Sequence, residues 1–128
     1  MLLIIDHHSG VPTYRQIMDQ IKFQVASGVL AANSELPSTR ALCAELSVNQ
    51  MTVSKAYNLL EREGVLERRP GQTLVVRSLD EKGLSDQKLD QFRQILAPAV
   101  SAARQLGIGA PEALRTFRDM LSNPSPRP

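Results

Sequence analysis

Residues 36–64 read LPSTRALCAELSVNQMTVSKAYNLLEREG, and the placing of capping and apolar residues within this stretch decides the fold. Ser38 can cap a short helix over residues 39–46, in which Leu42 and Leu46 share one face. Ser47-Val48 allows only a tight connection before Asn49, a second capping residue. Val53, Ala56, Tyr57 and Leu60 then form one apolar stripe that Gly64 brings to an end, which predicts a longer helix. Two helices joined by so short a turn make a helix-turn-helix.

Working outward, Pro12 suits a helix start, and Tyr14, Ile17, Met18, Ile21 and Val25 carry a helical rhythm as far as Gly28, where a polar loop follows. Before it, residues 2–5 hold two isoleucines and run into a polar cluster at 6–10, which predicts a strand and a turn. On the other side, residues 65–68 and 73–77 bracket Arg69-Pro70-Gly71-Gln72, where proline and glycine supply the backbone angles of a turn. A two-stranded wing is therefore expected after the helix-turn-helix.

Residues 80–85 are polar and read as a linker or a boundary between units. Beyond them Leu89, Phe92, Leu96, Ala99, Ala103 and Leu106 alternate spacings of three and four, the heptad rhythm that keeps one seam against another helix. Pro98 interrupts that rhythm and is expected to kink or break the helix. Gly107 ends the pattern, and Pro111 opens a last helix with Leu114, Phe117 and Leu121. The fold class is thus α+β and mainly helical. A winged helix-turn-helix is expected over residues 1–79, a helical dimerisation region over 80–121, and a disordered tail over 122–128.

At 128 residues, with 42% hydrophobic and 22% charged side chains, the chain can bury one core, which excludes a large multidomain enzyme. No apolar run approaches membrane-spanning length, so no membrane partner is expected. One cysteine, and an N-terminus without the marks of a secretory signal, make the cytoplasm the expected compartment. A net charge of +2 does not by itself indicate nucleic acid. Placement is more telling: across residues 36–60 the only carboxylate is Glu45, so this window can face phosphates without repelling them.

A helix-turn-helix reads sequence where its second helix enters the major groove. Asn49 and Gln50 are the types that pair with adenine through two hydrogen bonds, the hydroxyls of Ser38, Thr52 and Ser54 suit phosphate oxygens, and Lys55 supplies a cation. The competing reading makes Asn49 a helix cap and the others a solvated face. Arg40 can reach a phosphate or a guanine, or else pair with Glu45. Arg68 and Arg69 can reach the minor groove or the backbone, or else serve as a charged strand edge that discourages aggregation.

Catalytic readings find little support. Cys43 lies among Ala41, Leu42, Ala44 and Leu46 as a small packing residue, and His7-His8 has no further ligand at zinc spacing. No metal, cofactor or enzymatic activity is expected, and no small-molecule effector can be named.

Pro12-Thr13-Tyr14 with Gln16-Ile17, Leu36-Pro37-Ser38-Thr39-Arg40, Leu46-Ser47-Val48-Asn49, Thr52-Val53 and Ala56-Tyr57 resemble the GntR family of bacterial transcription regulators over about residues 11 to 76. The short helical C-terminal region is similar to that of the YtrA subfamily, whose members carry roughly two helices for dimerisation. The resemblance implies DNA contacts by Arg40, Asn49, Gln50, Thr52 and the wing glycine Gly71. It also implies an inverted-repeat operator, repression of the protein's own operon and, often, control of a neighbouring membrane transporter. Three positions depart from the family pattern: Gln50 stands in place of a frequent arginine, Ser47 in place of a usual glycine, and Ala32-Asn33 in place of Pro-Gly. The expected function is a homodimeric repressor binding double-stranded DNA. The alternative is a winged-helix protein-interaction adaptor that never touches DNA.

Overall fold

The computed structural model describes residues 1–123. Helix α1 (Thr13–Ala26) buries Ile17, Met18, Ile21 and Val25 of the expected stripe, while Tyr14 at its start is half-buried. Helix α2 (Thr39–Leu46) begins at Ser38, whose Oγ accepts from the Ala41 N–H at 3.0 Å. Helix α3 (Gln50–Arg62) begins at Asn49, whose Oδ1 accepts from the Met51 N–H at 2.7 Å, and buries Val53, Ala56, Tyr57 and Leu60. It ends as glycine-terminated helices do: Gly64 turns left-handed at φ +81°, and the Val65 N–H returns to the Leu60 carbonyl. Leu42, Val53 and Leu60 are fully buried in the core these helices share, where truncating a leucine to alanine typically costs about 2–5 kcal/mol.

The wing consists of β1 (Leu66–Arg68) and β2 (Leu74–Val76), antiparallel, with Glu67 opposite Val75. All three residues of β2 are buried because its second edge is also occupied. Leu36 N–H donates to the Leu74 carbonyl at 2.8 Å, Val76 N–H to Ser34 at 2.9 Å, and Asn33 N–H to Val76 at 2.8 Å. The loop expected between the first two helices therefore contributes a third extended segment, with Glu35 bridged to Val75. Its polar residues gave no strand signal, because the pairing is supplied by backbone groups and by Thr73, whose N–H donates to Glu35 Oε2 at 2.8 Å.

Residues 2–5 are extended but form no strand, contrary to expectation. The backbone of Leu2 and Ile4 is met by the side-chain amides of Gln24 and Gln20 on α1, and that of the adjoining Asp6 by Gln16, rather than by another strand. Leu3 of this run is buried in the core, and Ile5, half-buried, packs against it.

The polar stretch at 80–85, expected to be a linker or a boundary between units, is helical from Glu81 onward. Helix α4 (Glu81–Gln105) starts there, capped by Asp80, whose Oδ1 accepts from the Gly83 N–H at 2.8 Å. Polarity in those residues reflects a solvated first turn, where Glu81 also favours the positive helix end. The helix continues through Pro98 without the break that was one of the two expectations, and closes at Gly107 with Ile108 N–H donating to Ala103. Helix α5 (Ala110–Ser122) carries Pro111 in its first turn. Ser122 thus ends a helix, and the tail beyond Asn123, expected to be disordered, lies outside the described residues.

The chain divides into two compact units, Met1–Gln91 and Phe92–Pro128. The first holds the winged helix-turn-helix. Within the second, the rings of Phe92 and Phe117 lie 6.2 Å apart, joining the later part of α4 to α5.

Candidate nucleic-acid interface

The four buried residues of α3 fix which of its faces looks outward. Gln50, Met51, Lys55, Asn58 and Arg62 are exposed on it, and Thr52 and Ser54 are half-buried at its margins. No carboxylate occurs in the sequence between Glu45 and Glu61, so the face begins without negative charge, at the positive end of the helix dipole. A shallow groove of about 700 Å³ runs between this face and the start of α1, bordered by Pro12, Thr13 and Tyr14.

Lys55 does not hang freely over that groove. Its Nζ stands 4.0 Å from the centre of the Tyr14 ring, and the Arg15 guanidinium lies 5.9 Å from the same ring. The aromatic face attracts both cations and holds positive charge beside the recognition face. Sequence reasoning singled out Lys55 but missed Tyr14, Arg15, Met51, Asn58 and Arg62 as parts of this surface. The signal was present, since 51, 55, 58 and 62 repeat at helical spacing opposite the apolar stripe.

The other expected residues fall into two groups. Ser38 and Asn49 spend a side-chain oxygen on capping, so Asn49 has one acceptor lone pair fewer for a base edge. Arg69 is tied within the chain, to Glu67 Oε2 at 2.8 Å and Asn33 Oδ1 at 2.7 Å. Arg68 sits at 3.4 Å from Glu61 with its side chain 62% exposed, a weak surface contact. Arg40 is exposed near the start of α2 and makes no ion pair with Glu45 or any other carboxylate among the described residues. Gly71 is at the wing tip with φ +75°, and the space where a side chain would sit is open. The glycine is needed for the turn, in which Gln72 N–H donates to the Arg69 carbonyl at 3.2 Å.

Two local features set the angle between α2 and α3. Ser47 takes the left-handed conformation at φ +54°, where the turn demands it, and Val48 N–H then reaches the Cys43 carbonyl at 3.1 Å. Tyr57 donates its hydroxyl to the Pro37 carbonyl at 2.8 Å, pinning α3 to the Leu-Pro-Ser run. Burial, and then the nearby Glu45 charge, push the Tyr57 phenol well above its ordinary range, so it stays a donor.

Cys43 is half-buried, with its thiol directed to the Arg40 carbonyl. Among the described residues no cluster of histidine, cysteine and carboxylates is suited to a metal, and no helix is long and apolar enough to cross a membrane.

Residues 13–76, from the first residue of α1 to the last of β2, match the family described as bacterial regulatory proteins, gntR family. The HTH-type transcriptional repressor YtrA of Bacillus subtilis is 32% identical over 107 residues, covering 84% of this chain and 82% of that protein. The uncharacterized regulator YhcF of the same organism is 32% identical, covering 86% and 90%. Among solved structures, YtrA from Sulfolobus acidocaldarius, described as a GntR-family transcription factor, is 31% identical with a TM-score of 0.58, over 94% of this chain and 97% of that one. These relatives are named as regulators rather than enzymes. The match spans the helix-turn-helix and wing in one piece, and the chain belongs to the GntR family of bacterial regulatory proteins as a YtrA-like, DNA-binding transcription regulator.

Proposed function

We propose that the chain works as a cytoplasmic homodimeric repressor, in which two copies of α3 enter successive major grooves of an inverted-repeat operator. Residues 1–79 read DNA and residues 80–121 hold the two readers together. Gln50, Thr52, Ser54 and Lys55 meet the groove or its rim, Arg40 contacts the flanking backbone, and the Gly71 tip approaches the minor groove. Ser38 and Asn49 contribute through the helix starts they fix, and Arg68 is better placed than Arg69 to reach phosphate.

The observation that carries this reading is the apolar surface left open on the C-terminal helices. Leu89, Phe92, Ile95, Val100 and Leu106 are all exposed on α4, and Leu114, Phe117 and Leu121 on α5. Of the expected seam, Leu96 and Ala103 are half-buried and Ala99 is exposed. A surface this apolar on amphipathic helices calls for a cover, and a second copy supplies a self-complementary one. Repression is supported by the name of the YtrA relative. No effector is assigned.

Selection of bound duplexes from a random pool by the full chain, followed by titration across salt, tests the proposal. The expected product is an inverted repeat whose half-sites lie about 34 Å or a multiple apart, with affinity falling steeply as salt rises. Recovery of no duplex would favour the adaptor reading.

A further inference from the structure

Among the described large apolar side chains Met51 is the most exposed, at 78%. It is the second residue of α3, on the outward face with Gln50, Lys55 and Asn58, while Val53, Ala56, Tyr57 and Leu60 of the same helix are all buried. Its side chain therefore adds almost nothing to the core. Its position is nevertheless fixed, because the Met51 N–H is held by Asn49 Oδ1 at 2.7 Å in the cap that sets the first turn. On a surface suited to a groove, the polar neighbours can address hydrogen-bonding edges. A thioether cannot donate a hydrogen bond and accepts one only weakly. What it can recognise is apolar surface, and of the four unmodified bases only thymine presents a methyl group in the major groove. The unbranched, polarizable chain of methionine suits close packing on such a group.

We propose that Met51 is a specificity-determining residue that reads one thymine in each half-site by packing its thioether against the 5-methyl group. This rests on the DNA-reading function above, and the test separates the two. A duplex selected by the full chain is resynthesised with single thymines replaced by deoxyuridine, which removes the methyl and leaves the pairing edges intact. The wild-type chain should lose about fourfold in affinity per half-site at one such position, the worth of one buried methyl-sized group. Met51→Ala should bind the thymine duplex more weakly by a similar factor and show no difference between thymine and uracil there. Met51→Leu should keep the discrimination. If no replacement weakens the wild-type chain, or if each weakens Met51→Ala equally, the proposal is overturned while DNA reading stands. If no duplex is selected at all, both fall.

Discussion

Gln20 satisfies both backbone groups of Ile4: its Oε1 accepts from the Ile4 N–H at 2.8 Å, and its Nε2 donates to the Ile4 carbonyl at 2.6 Å. Gln16 does the same for Asp6, with both bonds at 2.8 Å, and Gln24 donates to the Leu2 carbonyl at 2.7 Å. The match is geometric. Four residues of helix rise about 6 Å, and two residues of extended chain rise about 6.6 Å, so glutamines at every fourth position meet alternate backbone units. A helix thus presents a row of side-chain amides where a sheet would present a strand.

Replacing Gln16 by alanine should release the N-terminal run more than replacing Gln24, because Gln16 also donates to Val11 and Ser9. The expected loss is about 1–3 kcal/mol, with faster hydrogen exchange at Asp6 and little change in the α2 and α3 amides. Melting curves and amide exchange check both parts.

Ser47→Gly should raise stability by about 0.5–1 kcal/mol. A non-glycine residue at φ +54° bears a steric cost of roughly 1–2 kcal/mol, partly offset by the greater chain entropy of glycine when unfolded. A denaturant midpoint shifted upward with an unchanged slope is the expected result.

Tyr57→Phe removes the bond to the Pro37 carbonyl and should cost about 1–2 kcal/mol. Because the folded phenol is held above its ordinary pKa, its contribution is complete below about pH 10 and declines as pH rises above that, where only the unfolded tyrosine ionises. The wild-type chain should therefore lose more stability than Tyr57→Phe between about pH 9 and 11.

Lys55→Ala should weaken operator binding and lower its salt slope by roughly one. Tyr14→Leu should reproduce part of the affinity loss by freeing the ammonium now held 4.0 Å from the ring, whereas Tyr14→Phe should keep the affinity. Salt-dependent titrations of the three variants distinguish the outcomes.

Much of the first unit was legible in the sequence, because its signals are local. Ser38 and Asn49 cap the helices they were expected to cap, and the stripe of Val53, Ala56, Tyr57 and Leu60 is buried as its spacing requires. What escaped depends on distant partners. Residues 2–5 look like a strand because apolar content is the same whether strand or glutamine satisfies the backbone. The pairing of Leu36 with Leu74 and the stacking of Lys55 on Tyr14 join positions about forty residues apart, which no short window contains. The start of α4 was hidden by its polarity, since a solvated first turn and a linker share one composition.

Sedimentation of the full chain and of Ile95→Asp, free and on a selected duplex, tests the dimeric DNA reader most directly. Ile95 is 55% exposed, so the added charge spares the fold of one chain and acts on whatever covers it. The wild-type chain should sediment as a dimer and place two chains on each duplex, while Ile95→Asp should be a folded monomer by circular dichroism with much weaker binding. A wild-type monomer that binds one per duplex at full affinity, or an Ile95→Asp dimer as stable as the wild type, would contradict the account.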